Sequence, residues 1–310
     1  MTQIAHGHAQ PVLIVGSMAF DDLELPSENA KDVVGGAATY AAYAASLFAP
    51  ARIVAVVGRD FPESELNELS RRGVDVSGVE RKDGKTFRWA GRYAANLQSR
   101  TTLDTQLNVF ADFKPRVPDA FRDSPFVLLG NIQPGLQLEV LEQARAPKMV
   151  AADTMNFWIS GERPTLMKVL SRIDVLVIND EEARQLAEEH NIKRAARAIL
   201  AMGPKRLIIK RGEFGAMLFD GSGVFFAPAY PLENEIDPTG AGDTFAGALI
   251  GFVASQTQFD AGTLKRGLMT ATAVASFCVE GVGTRRTRAL TRNDVAARLE
   301  ELRGLVRFSD

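Results

Sequence analysis

Short, almost wholly apolar runs recur along this chain, each followed by a stretch long enough to form a helix. They fall at Val12-Leu13-Ile14-Val15-Gly16, Arg52–Val57, Phe126–Leu129, Met149–Ala152, Asp174–Ile178 and Arg206–Lys210. Strands that follow one another in this way, with helices between them, favour a largely parallel sheet covered by helices. Helices are expected at about 36–48, 63–72, 135–145, 162–170, 180–189, 193–201, 243–255, 261–279 and 292–302, the second closed by Gly73 as its C-cap. The expected fold class is α/β.

Two stretches break that rhythm. From Thr86 to Tyr93 the chain alternates, with Phe87, Trp89 and Tyr93 on one face and Arg88 and Arg92 on the other. From Asp104 to Ala111 it alternates again, placing Leu107 and Val109 opposite Gln106, Asn108 and Phe110. Two period-2 strands joined by Ala94–Leu103 form a hairpin or small sheet projecting from the main body. Such a hairpin either packs on the core or a second subunit, or covers a polar ligand.

Composition excludes several functions. The 310 residues carry 36 basic and 38 acidic side chains, so there is no positive excess to neutralise a nucleic-acid backbone. Cys278 is the one cysteine, and it can neither close an intrachain disulfide nor anchor a zinc cluster by itself. His6-Gly7-His8 lies in a polar N-terminal stretch and reads as a chain end rather than a metal site. No apolar run reaches the roughly 18 residues needed to span a bilayer, and Val12–Val15 is too short for a signal-peptide core. A cytoplasmic protein with no nucleic-acid or membrane partner is expected. Gly16-Ser17-Met18-Ala19-Phe20 is no dinucleotide fingerprint, and neither G-x-x-x-x-G-K-[ST] nor G-x-S-x-G occurs.

The segment that carries chemistry is Asp237-Pro238-Thr239-Gly240-Ala241-Gly242-Asp243-Thr244-Phe245-Ala246-Gly247-Ala248. Pro238 sets a turn, and Gly240-Ala241-Gly242 keep large side chains off the next backbone amides. A helix opening near Asp243 then presents unpaired amides and the positive end of its dipole, which suits an anion such as a phosphoryl group. A carboxylate beside that site would repel the anion it has to share space with. Asp243 makes sense there as a base that takes a proton from an attacking hydroxyl, although an aspartate after a glycine-rich loop also serves as a helix N-cap.

This run resembles the C-terminal signature of the ribokinase-like, or PfkB, carbohydrate kinase family, and similarity extends over nearly the whole chain. Gly35-Gly36-Ala37-Ala38 is similar to the family's N-terminal glycine pair, and Val57-Gly58-Arg59-Asp60 with Arg72-Gly73-Val74-Asp75-Val76 to its second βα unit. Asn179-Asp180-Glu181-Glu182 fits its N-x-x-E. Lys210-Arg211-Gly212-Glu213-Phe214-Gly215 resembles its nucleotide-side strand and turn, and Gly281-Val282-Gly283-Thr284 its late loop.

The resemblance implies one ribokinase-like domain over residues 1–310, a three-layer α/β/α core with a mostly parallel sheet, and a small β lid from about 18–34 and 86–111. It implies an ATP-dependent kinase that phosphorylates a hydroxyl of a sugar or sugar derivative, with Asp243 as base and Gly240, Ala241 and Gly242 as anion hole. On the nucleotide side it implies ATP and Mg²⁺ near Asn179, Glu182, Lys210, Gly212, Gly215 and Gly283, with Glu182 acting on the metal through water. N-x-x-E is equally a capping box, and Lys210 is equally an ordinary strand-end lysine. On the acceptor side it implies Asp21 (or its neighbour Asp22), Gly35, Gly36, and lid contacts from Arg88, Arg92, Gln106 and Asn108. A potassium site is implied at Asp237, Ala275 and Gly283, and a homodimer through the lid is consistent with an exposed sheet.

One feature departs from the family. Many members carry an asparagine about four residues after the second glycine, where this chain has Thr39-Tyr40. Tyr40 either joins Tyr43 and Leu47 in the core or reaches the acceptor pocket. Two other functions stay open on this fold: a nucleoside kinase, with Trp89, Tyr93 and Phe110 available to stack on a base, and a sugar sensor without turnover.

Overall fold

A computed structural model of the protein describes residues 8–258 and 260–307; His6 and Gly7 lie outside them. The chain opens with β1 (Val12–Val15), β2 (Ala19–Glu24), β3 (Asn29–Gly35), α1 (Ala37–Ala45), β4 (Ala51–Val57), α2 (Glu63–Arg71) and β5 (Val74–Arg81). There follow β6 (Phe87–Tyr93), β7 (Arg100–Gln106), β8 (Phe126–Leu129), α3 (Pro134–Gln143), β9 (Met149–Ala152), α4 (Asn156–Gly161) and α5 (Arg163–Leu170). It continues through β10 (Val175–Asn179), α6 (Asp180–Ala187), α7 (Ile192–Leu200), β11 (Arg206–Lys210), β12 (Ala216–Asp220) and β13 (Gly223–Ala227), and closes with α8 (Ala241–Ala254), α9 (Ala261–Val279) and α10 (Arg292–Val306).

Nine strands form the main sheet in the order β13-β12-β11-β10-β9-β8-β1-β4-β5. All neighbours run parallel except β12 and β13, which turn back as an antiparallel edge. The central strand shows why its sequence is uniformly apolar. Val12 and Ile14 project into one core with α1, α8 and α9, while Leu13 and Val15 project into another with α3, α5, α6 and α7. With helices on both faces, every position of β1 is removed from water. This is the three-layer α/β/α architecture that the resemblance implies.

A second sheet, β3-β2-β6-β7, stands off the first. It meets the body in a small cluster in which Leu23, Leu25, Ala30 and Tyr93 join Val282, and again at Phe20, which enters the main core against Phe61. The second strand of the expected hairpin lies earlier than its alternation suggested. β7 is Arg100–Gln106, exposed along its whole length, so no hydrophobic period marks it. Residues Asn108–Asp112 form a 3₁₀ turn, because Leu107 adopts a helical and Asn108 a left-handed conformation. The apolar residues there serve the turn: Val109 is buried and Phe110 stacks between Phe87 and Phe113. Among the described residues no helix is long and apolar enough to cross a membrane.

Candidate active site

The loop before α8 is built around its glycines. Gly240 has φ of 75°, and Thr244 is the first residue to bond back by four, to the Gly240 carbonyl at 2.8 Å. The amides of Gly242 and Asp243 therefore precede the helical ladder, at the positive end of a 14-residue helix. Among the described residues no side chain caps this helix, so Asp243 is not spent as an N-cap, and α8 opens at Ala241 rather than 243. The Cα of Gly240 rests on the ring of Tyr40, where any Cβ would overlap ring atoms. A Cβ at Gly242 would come 3.0 Å from Lys210 Nζ.

Lys210, at the end of β11, reaches across β10 to Asp153, with Nζ 3.1 Å from Oδ2. Burial works against its charge, but Asp153, Glu182 and Asp243 hold the ammonium protonated beyond the ordinary lysine range. Burial together with repulsion from Asp153 pushes the Asp243 carboxyl up to about 6, with Lys210 and Arg100 opposing. The same two causes bring Glu182 to about 7. Asn179 and Glu182 form the capping box of α6: Asn179 N–H donates to Glu182 Oε2 at 2.8 Å, and Glu182 N–H donates to Asn179 Oδ1 at 2.7 Å. The box fixes the direction of the Glu182 carboxylate and leaves its second oxygen for another partner.

Asp21 lies on β2, a strand of the second sheet, and the missing side chain of Gly35 is the space its carboxyl occupies. Burial, then Asp237, Asp243 and Asp22, raise its pKa to about 8. Gly36, with φ of 90°, lets the chain pass close to the Ser17 carbonyl and the Met18 backbone. Both glycines thus make room for this protein's own atoms. A carboxyl with a folded pKa near 8 and an unfolded value of 3.8 favours folding least at high pH, because the native state resists ionising it. Asp21→Asn is therefore expected to melt higher than the parent at pH 8, by roughly 2 °C or more. The gap should shrink as pH falls from about 8 toward 4, as calorimetry across that range would read.

Other residues named from sequence lie elsewhere. Arg92 pairs with Glu24 and Arg88 with Asp22 and Asp32, all on the face of the second sheet opposite to Asp21. Gln106 bonds Asp104 on that same outer face, opposite Arg88. Asn108 is spent on the Thr86 carbonyl at 2.9 Å. Tyr40 is 1% exposed, lying under the Gly240 loop with a hydroxyl that has no partner among the described residues, so it is a floor rather than a pocket wall. Gly215 has φ of 83° and faces the Ala227 carbonyl, serving the β12–β13 edge, whereas Gly212 opens on free space.

Of the three residues named for potassium, the structure brings Asp237 and Gly283 together, while Ala275 lies within α9. Asp237 is fully buried and accepts from Thr239 N–H at 2.9 Å and Gly283 N–H at 2.8 Å, so it ties the two loops together directly. Ala275 sits inside α9, where its carbonyl belongs to the helical ladder. Cys278 is buried with Sγ donating to the Thr239 carbonyl at 3.5 Å, and burial pushes its thiol up to about 12. Two residues went unnoticed in the sequence. Asp153 follows β9, at the carboxyl end of a parallel strand where open α/β sheets gather ligands. Arg100 opens the featureless strand β7 and faces the cleft.

Comparison with known proteins adds the following. A family model described as pfkB family carbohydrate kinase matches residues 9–290. A cytidine kinase of Thermococcus kodakarensis is 31% identical over 253 residues, which is 80% of this chain and 88% of that enzyme. A ribokinase II of Escherichia coli solved with ATP and Mg²⁺ superposes with a TM-score of 0.78 at 21% identity, covering 94% of this chain and 99% of the other. A Burkholderia thailandensis nucleoside kinase solved with inosine gives 0.76 at 22% identity, covering 94% and 97%.

Proposed function

The chain belongs to the pfkB family of carbohydrate kinases, and we propose that it moves the γ-phosphoryl group of ATP to a hydroxyl of a sugar or sugar derivative. The observation that carries this is the junction of an uncapped helix N-terminus with a carboxyl whose pKa lies near 6. The amides around Gly240, Ala241 and Gly242 hold the anionic group in transit. Asp243 takes the proton of the attacking hydroxyl, for which a pKa not far below neutrality is well matched. The bond from acceptor oxygen to phosphorus forms as the bond to the β,γ-bridging oxygen breaks, and ADP leaves with that electron pair.

On the donor side, Lys210 is a protonated cation beside Gly242 and neutralises phosphate charge. Asp153 and Glu182 repel one another enough to raise the Glu182 pKa, and a divalent cation would relieve that repulsion. The cluster fits Mg²⁺ held through water, as the E. coli ribokinase II complex with ATP and Mg²⁺ also suggests. Mg²⁺, when bound there, screens the phosphate oxygens. On the acceptor side, the Asp21 carboxyl hydrogen-bonds a substrate hydroxyl. The exposed edge strand β7 is the place for a homodimer contact.

A nucleoside acceptor is the second reading. Trp89 lies on the cleft face of the second sheet, beside Asp21 in the strand pairing, and offers an aromatic surface to a base. The cytidine kinase relative points the same way. A coupled ADP-release assay with ATP and Mg²⁺, run against hexoses, pentoses, polyols and nucleosides, decides between the classes. Turnover with nucleosides and not with free sugars would select the second reading, and absence of turnover with every class would speak for a sensor.

The base role also fixes a pH profile. Asp243 works only when ionised, so kcat is expected to be flat above about pH 7. Below about pH 6 it should fall by about tenfold per pH unit. A kcat that stays level down to pH 4.5 would remove Asp243 from the proton transfer.

A further inference from the structure

The cleft face of the second sheet carries a guanidinium outside every motif quoted above. In the β6–β7 pairing Tyr93 stands opposite Arg100, and in the β2–β6 pairing Asp21 stands beside Trp89. Arg100, Tyr93, Trp89 and Asp21 therefore share one face, the reverse of the one bearing the Arg88 and Arg92 ion pairs. The Arg100 guanidinium lies 5.6 Å from the centre of the Trp89 ring. Trp89 can lie flat along its strand because Gly91, two residues on, has no side chain. Arg100 is also directly across the β6–β7 pairing from Tyr93. The Tyr93 hydroxyl is 2.9 Å from Thr239 Oγ1, in the loop that leads into α8.

The approach to β7 touches the donor side as well. Gln98, two residues before Arg100, hydrogen-bonds Glu213 in the turn after β11. Residues 98–100 thus run from the nucleotide-side turn to the rim of the anion loop. The cleft they cross holds the carboxyls of Asp21, Asp153, Glu182 and Asp243, with Lys210 as the cation on the far side. A phosphoryl group entering this space adds negative charge where carboxyls already crowd. Burial drives the pKa of Asp21, Glu182 and Asp243 upward, and in all three the positive charge of Arg100 pulls the other way.

We propose that Arg100 is a further catalytic residue, whose guanidinium binds the oxygens of the phosphoryl group while it passes between ATP and acceptor. The proposal rests on the kinase function argued above. Arg100 forms only hydrogen bonds; the acceptor's proton goes to Asp243 and the electron pair leaves with ADP. Trp89 and Tyr93 hold the guanidinium in place, so little ordering is left for the moment of transfer.

Arg100→Met tests this, since it keeps the aliphatic stem on Trp89 and removes the charge. The first readout is binding, by calorimetry, of ADP and Mg²⁺ with aluminium fluoride, a mimic of the planar phosphoryl group. The variant should bind that mimic at least about tenfold more weakly than the parent, with ADP and Mg²⁺ alone unchanged within about twofold. The second is turnover: kcat should fall by about 10²–10³ with acceptor KM nearly constant, and Arg100→Lys should fall between the two. A thermal melt checks the fold. Unchanged affinity for the mimic, or a loss confined to acceptor KM, would overturn the proposal while leaving the kinase function standing. A parent protein that binds no ADP at all would overturn both.

Discussion

Asp243→Asn is expected to lower kcat by about 10²–10⁴, the range for loss of a general base, without weakening the fold. The asparagine keeps the shape of the side chain at the first turn of α8, where no capping bond is at stake. It also removes a carboxyl that burial and Asp153 hold at about 6, so the native state loses a repulsion rather than an attraction. Affinity for nucleotide should hold or rise, because one negative charge beside the phosphates has gone. The measurement is kcat by coupled ADP release, with a melting curve on the same preparation. Turnover within a few-fold of the parent would take the proton transfer away from Asp243.

The second large effect belongs to Gly240. Replacement by valine asks a β-branched residue to hold φ of 75°, in the left-handed region where a non-glycine residue costs roughly 1–2 kcal/mol. It also drives a side chain into the Tyr40 ring, which is 1% exposed and packed beneath the loop with no room to retreat. The loop must lift by on the order of an ångström, and a misplacement of that size costs about 10² in rate. Gly240→Val should therefore lose at least about 10² in kcat and melt earlier than the parent. Gly242→Ala is the informative contrast, because its Cβ would meet only the movable end of Lys210, 3.0 Å away. A loss of about tenfold or less is expected there. Equal losses at the two positions would mean that the loop's shape, as described here, does not set the rate.

How much of this could be read from the sequence depended on how local each feature is. The central strands were legible because both of their faces are buried, so β1, β8 and β9 are unbroken apolar runs. β7 was not, because all seven of its residues are exposed and nothing periodic marks it. The loop from Asp237 to Asp243 and the Asn179–Glu182 box are contiguous, and their chemistry follows from spacing. Asp153 meets Lys210 across 57 residues, through the neighbouring strands β9, β10 and β11. Arg100 reaches the cleft only because β7 pairs with β6. Arg92 shows the converse: its type and strand were read correctly, but the pairing register turns it to the outer face, against Glu24.

The single thiol gives this protein an internal gauge of its own opening. Cys278 is sealed between α9 and the Thr239 carbonyl, and a thiol with a pKa near 12 is almost wholly un-ionised at neutral pH. A thiol-directed reagent can modify it only in the fraction of molecules where the end of α9 and the Asp237–Gly240 loop have parted. The labelling rate, compared with that of the unfolded chain, then measures the free energy of that local separation, with no introduced probe. Any molecule that seats on the loop must slow the labelling by the factor 1 + [L]/Kd. Candidate acceptors could thus be ranked by protection alone, before one of them has been seen to turn over.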